Sequence, residues 1–171
     1  MKNNIKIDVK DNHKENLKII GWREVIDLPL WNAQGIQAKI DTGAKTSALH
    51  AENIEYFKRN KQSWLRFVIH PERKSKTPEI TVEALFVEVR SIKSSNGMVQ
   101  ERPVVKTSLL LDGDEFELEL TLVNRDIMGY RMLLGREALK NRYLVNAGLS
   151  YLLSQNPNKS SKNCHLGEED S

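Results

Sequence analysis

The sequence predicts an all-β domain, a small β-barrel or sandwich with one short helix near its C-terminal end. Three observations carry this: two runs of strict period-two alternation, turn dipeptides placed between apolar runs, and a single helix signal. Ile36, Ala38 and Ile40 alternate with Gln37 and Lys39, while Phe116, Leu118, Leu120 and Leu122 alternate with Glu117, Glu119 and Thr121. That period belongs to strands with one buried face.

In chain order, the first clear strand is Gly35 to Ile40. Trp64 to His70, stopped by Pro71, and Ile80 to Val89, rich in Val and Phe, give two more strands. Asn96-Gly97 marks a turn between Val87-Glu88-Val89 and Val104-Val105, and Asp112-Gly113 a tight hairpin between Leu109-Leu110-Leu111 and Phe116. Hairpins imply antiparallel pairing. The helix is expected over Arg136 to Asn141, where Glu137, Ala138, Leu139 and Lys140 are strong helix formers. Residues 18–153 form the expected domain, with a flexible polar segment over 1–17 and a disordered polar tail over 154–171.

A chain of 171 residues suits one domain with its own core. Hydrophobic residues make up 39% and charged ones 29%, and no run approaches the roughly 18 apolar residues of a membrane helix. No membrane contact is expected. The net charge of +3 is scattered rather than blocked, which argues against nucleic acid. Met1 to Lys18 lacks a secretory pattern, so a cytoplasmic location is expected. Cys164 is the one cysteine, excluding an intramolecular disulfide and a thiolate zinc site.

Asp41-Thr42-Gly43 closes the first clear strand and holds the chemistry. A carboxylate with an ordinary pKa near ~4 is a weak base alone, but two held ~3 Å apart share one proton, so one serves as acid and the other as base. Such a pair activates water for attack on a peptide carbonyl. Thr42 can hydrogen-bond around the loop, and Gly43 permits a sharp turn. An ordinary strand-end turn is the competing reading of the triplet.

Met132-Leu133-Leu134-Gly135-Arg136-Glu137-Ala138-Leu139 leads from a buried strand into a helix. Together with Asp41-Thr42-Gly43-Ala44 it resembles retroviral-type aspartic proteases. The chain is most similar to a bacterial retropepsin-like family labelled ATP-dependent zinc proteases, over Gly21-Trp22-Arg23-Glu24, Ala38 to Ala51, Ser94-Ser95-Asn96-Gly97, Arg102-Pro103-Val104-Val105 and Asn124 through Leu139. The resemblance implies a closed acid-protease barrel and an aspartic endopeptidase. It implies Asp41 as the catalytic carboxylate, with Thr42, Gly43 and Ala44 as active-site loop and substrate contacts. Leu133, Leu134, Gly135 and Arg136 would support the loop, and Ser94, Ser95, Asn96 and Gly97 would form a flap, against the alternative of a plain surface turn.

Retroviral enzymes place an Asp shortly after the loop to pair with the Arg of the Gly-Arg motif, where this chain has Lys45 and Thr46. Arg136 is expected to pair with Asp126 or Glu137 instead. No second Asp-Thr-Gly or Asp-Ser-Gly occurs, so a dyad requires Asp41 of a second copy and hence a homodimer.

No cofactor and no metal site are expected. His13, His50, His70 and His165 form no His-Glu-x-x-His, and Gly43-Ala44-Lys45-Thr46 lacks the glycines of a phosphate loop. His50 reads as structural or supporting. Trp22, Trp31 and Trp64 read as packing residues, and Arg125, Arg131 and Arg136 as members of structural ion pairs. The family's association with glutamate-ligase partners implies an acidic peptide substrate. The expected function is thus a homodimeric aspartic endopeptidase, with a non-catalytic peptide- or protein-binding barrel as the alternative and a metal-dependent hydrolase behind it.

Overall fold

Alternating burial fixes the sheet. The computed structural model describes residues 17–124 and 129–158. In it β1 (Lys18–Gly21) is followed by β2 (Arg23–Leu28), a 3-10 turn at Pro29–Trp31, β3 (Ala33–Ile40), β4 (Ser47–His50), β5 (Glu52–Arg59) and β6 (Gln62–Ile69). Then come β7 (Ile80–Lys93), β8 (Val99–Leu111), β9 (Asp114–Val123), β10 (Met132–Leu134), the helix α1 (Arg136–Leu139) and β11 (Tyr143–Asn146). The chain is all-β apart from α1 and the 3-10 turn.

Nine strands form one sheet in the order β2-β3-β10-β4-β9-β8-β7-β6-β5, and β1 pairs with β11 in a separate two-stranded sheet. The expected closed barrel is only loosely closed. Its first strand meets β8 through the single pair Asp27 and Leu110. The expected antiparallel pairing holds for β7, β8 and β9, but β10 runs parallel to β3, β4 parallel to β9, and β1 parallel to β11. Strands joined by long crossovers carry no local turn signal, which is why hairpin dipeptides could not reveal them.

Ile36, Ala38, Leu120 and Leu122 turn into the core with Leu65, Phe67 and Ile69 of β6. Fully burying an aliphatic or aromatic side chain of this size is worth about 1.5–3 kcal/mol. Trp31 packs edge-on against Phe67 with centroids 5.5 Å apart. The turn dipeptides behave as their chemistry demands: Asp112 and Gly113 both take positive φ (51° and 78°), joining β8 to β9 as a two-residue hairpin. Helix α1 ends at Leu139, short of Asn141, because Lys140 turns extended and Asn141 takes φ 62° to redirect the chain into β11.

Glu24, fully buried, ties the two ends of the domain together. Its carboxylate accepts hydrogen bonds from the backbone N–H of Gly21 (2.9 Å), Leu152 (2.8 Å) and Leu153 (3.2 Å) and from Ser154 Oγ (2.5 Å). Ser154 Oγ also accepts from Val25 N–H at 2.8 Å. Residues 149–154 are thereby strapped along β1 and β2, with Trp22 N–H donating to the Leu149 carbonyl and Tyr151 N–H to the Arg23 carbonyl. The polar ends 1–16 and 159–171, with Cys164, lie outside the described residues.

Removing this acceptor leaves several buried donors without partners, each costing roughly 1–3 kcal/mol. Glu24→Ala is therefore expected to destabilise the domain by about 3 kcal/mol, seen as a lower urea midpoint at unchanged m-value. Glu24→Gln should lose less, because the amide oxygen still accepts.

Candidate functional site

The Asp41 loop exists because one short strand passes between its flanks. β10 lies between β3 and β4, with Leu134 opposite Ile40 and Leu133 opposite Ala48, so the chain from Ile40 to Ser47 must arch over the end of β10. Asp41 N–H donates to the Leu134 carbonyl at 2.9 Å, continuing the β3 ladder by one bond. The loop then folds on itself. Gly43 N–H donates to Asp41 Oδ1 at 2.9 Å and Ala44 N–H to the Asp41 carbonyl at 3.3 Å.

The start of α1 clasps the loop from below. Arg136 N–H donates to the Ala44 carbonyl (2.8 Å) and Glu137 N–H to the Lys45 carbonyl (3.1 Å), so donors of the first helical turn find their acceptors in the loop. Arg136 Nη1 reaches over to the Thr42 carbonyl at 3.0 Å. Gly135 N–H donates to Ser47 Oγ at 3.0 Å, and a Cβ on Gly135 would stand 2.8 Å from Thr46 C and O and 2.9 Å from the Ala44 carbonyl oxygen. Only glycine fits there.

Asp41 is half-buried, Thr42 and Gly43 are exposed and Ala44 is half-buried, while Leu133 and Leu134 are buried beneath them. Arg136 donates to the Thr42 carbonyl, and Glu137, one of its two expected partners, pairs with Lys140 at 3.1 Å. Arg125 and Asp126 lie outside the described residues. Arg131, read as an ion-pair residue, directs its guanidinium to the carbonyls of Glu72 and Ser75 at 3.1 Å each.

A cleft of about 700 Å³ opens on the far side of the loop. Lys45, Thr46 and Ser47 form one wall, Glu88 and Arg90 of β7 and Lys106 of β8 another, and Glu117, Leu118 and Glu119 of β9 with Glu137 and Ala138 complete it. Arg90 donates to Glu119 at 2.8 Å and also binds Glu88, and these two carboxylates hold its guanidinium pKa above the usual value. Lys45 and Lys106 form no ion pair among the described residues. They are the cations a ligand would meet. The tip Ser94–Gly97 ends the arm formed by β7 and β8, outside the cleft lining, and the base of that arm supplies Glu88 and Arg90. Of the lining residues, the reading of the sequence singled out Lys45 and Thr46 beside the loop; Arg90, Lys106 and Glu119 converge only through strand pairing.

His50 belongs to a second cluster. Its Nε2 lies 3.3 Å from Glu52 Oε1, His70 Nε2 lies 3.2 Å from Glu52 Oε2, and Lys76 Nζ lies 3.2 Å from Oε1. His70 Nδ1 donates to the Lys76 carbonyl at 2.8 Å, fixing the loop after β6. Bonds from His70, then Lys76, hold the Glu52 carboxyl at a pKa of about 2. Among the described residues no three His, Cys, Asp or Glu side chains are placed to hold a metal ion, and no helix is long and apolar enough to cross a membrane.

A loop of this build, on a mixed all-β sheet with β10 threaded between its flanking strands, defines the retropepsin-like class. The chain belongs to the RimB-like family, described as retropepsin-like aspartic endopeptidase RimB, which it matches over residues 19–156. It is 44% identical over 141 residues to a "Probable alpha-L-glutamate ligase" of Shewanella halifaxensis, covering 82% of this chain and 31% of the relative. A protein of the same name from Desulfotalea psychrophila is 38% identical over 152 residues, 89% of this chain and 33% of the relative. The chain thus spans about a third of the length of these curated relatives. A crystal structure of a Legionella pneumophila protein of unknown function shares 30% identity, with TM-score 0.68, over 82% of this chain and 100% of that one.

These relatives correct the expected activity. They are named for joining α-L-glutamate, not for hydrolysis, so the expectation of an aspartic endopeptidase, and with it the hydrolase and zinc-protease readings, is withdrawn.

Two outcomes are expected of the site's framework. Gly135→Ala should force the 44–46 segment outward, lowering the melting temperature and accelerating proteolysis within the loop, whereas an alanine at exposed Gly148 should change loop cleavage little. Because the Glu52 pKa falls from 4.5 to about 2 on folding, its contribution is fully present above pH 4.5 and is lost as pH drops toward 2. Glu52→Gln should flatten that acid limb in urea midpoints measured against pH.

Proposed function

We propose that this chain is the peptide-holding module of an α-L-glutamate ligation system, binding a glutamate-bearing acidic peptide in the cleft beside the Asp41 loop. The observation that carries this reading is the 38–44% identity, over this domain, to proteins named for α-L-glutamate ligation. The bond-forming chemistry falls to the portion that those relatives have in addition, and the system works in the cytoplasm.

The cleft lining sets three cations, Lys45, Arg90 and Lys106, among four carboxylates, Glu88, Glu117, Glu119 and Glu137. Arg90 is held by Glu88 and Glu119, which leaves the ammonium groups of Lys45 and Lys106 to meet the carboxylates of a bound peptide.

Titration of the full chain with α-linked tetraglutamate, followed by amide chemical shifts, tests this. Saturable shifts are expected at Lys45, Thr46 and Lys106, with affinity falling as salt rises. Since a solvent-exposed ion pair is worth about 0.2–1 kcal/mol, Lys45→Ala with Lys106→Ala should weaken binding by about thirtyfold at most. Absence of saturable binding, or equal binding of tetralysine, would sink the proposal.

A further inference from the structure

The small parallel sheet of β1 and β11 has two unlike faces. Ile20, Tyr143 and Val145 turn toward the core, whereas the register partners Ile19 and Leu144 turn outward, 54% and 50% exposed. Gly21 lies on the same side as Ile19, two residues on. A Cβ there would stand 2.7 Å from the Leu149 carbonyl oxygen, so the strap runs against that same face at Gly21 and carries exposed Leu149 to it. Leu17, also exposed, extends the patch. No further strand borders this sheet among the described residues. Apolar side chains gathered on one open face mark an interaction site.

What covers the face follows from where the polypeptide continues in the relatives. The family match begins at residue 19, within β1, and stops at residue 156, just past the strap that Glu24 holds beside β1. The matched segment is 31% of the Shewanella halifaxensis relative, so the rest of that chain joins this domain at one end or the other. The first end lies on the apolar face itself, at Ile19, and the chain that leads to the second crosses Gly21 at Leu149 before it runs on along β2 to Val25. We propose that the outer face of β1 and β11, centred on Ile19 and Leu144, is the seat of the glutamate-ligase portion. It thereby holds the peptide cleft at a fixed distance from the ligating centre. This rests on the reading that the chain serves α-L-glutamate ligation, and it adds the surface through which it does so. Interfaces between domains of one chain typically bury about 600–1,500 Å², so the four apolar side chains would form the centre of the contact and polar neighbours its rim.

The test splices the full chain in place of the matched third of the Shewanella halifaxensis relative and compares amide hydrogen exchange in the chimera with that of the chain alone. Residues 18–21 and 143–146 are expected to exchange at least tenfold more slowly in the chimera, with no change at the exposed outer strand around Tyr56. Ile19→Asp with Leu144→Asp should abolish that protection while leaving the melting temperature of the isolated chain and its tetraglutamate titration unchanged. Protection appearing elsewhere, or a chimera whose ligase portion melts independently of this domain, overturns the proposal. So does a dimer of the isolated chain that the double variant dissociates in sedimentation, since a second copy would then occupy the face. Tetraglutamate binding that persists alongside any of these outcomes locates the failure in the docking surface and not in the cleft.

Discussion

The missing side chain of residue 135 governs the functional end of this molecule. β10 ends where the loop from Asp41 to Thr46 must cross it, and the crossing is so close that one methyl group would collide with the Thr46 carbonyl and the Ala44 oxygen. Because the backbone approaches that far, the first N–H groups of α1 reach the loop carbonyls and the loop needs no other scaffold. Helix, strand and loop are one hydrogen-bonded unit. The orientation of Asp41, the position of Lys45 on the cleft wall and the reach of Arg136 to Thr42 all follow from it.

The second organising element is electrostatic and lies on the neighbouring strand, where Glu24 of β2 stands opposite Ala38 of β3. A fully buried carboxylate is tolerated only when its lone pairs are met, and Glu24 meets them with donors drawn from both ends of the domain.

What was legible in the sequence follows from the range of each signal. β3, β8 and β9 announce themselves through alternation and through Asp112-Gly113, which are local. β1 and β11 are four residues long and pair in parallel with distant partners, so neither periodicity nor a turn marks them, whereas β10 is legible as the apolar run Met132-Leu133-Leu134 before the helix. The Asp41 loop and its Gly135 support could be read because a family resemblance spans both. Arg90, Lys106 and Glu119 could not, since on their own strands they are ordinary outward-facing charges and become a cleft only when β7, β8 and β9 lie side by side. Nothing local in Gly21-Trp22-Arg23-Glu24 marks Glu24 as the buried acceptor, because its donors from Leu152 to Ser154 are distant in sequence. The activity inferred from the loop motif was misplaced for a related reason: a motif fixes a geometry, and the same geometry serves more than one chemistry.

The clasp at Glu24 has a consequence in time. Its partners lie 128 to 130 positions further along the chain. At roughly 5–20 residues per second, synthesis leaves the carboxylate waiting on the order of ten seconds before Leu152 and Ser154 exist. During that interval the nascent sheet can assemble around β3, β8 and β9, but its open seam stays wet and unsealed. The domain becomes complete only when its last segment is delivered, so any pause or premature stop before residue 152 yields a chain whose hairpins can form while its buried charge has nothing to hold.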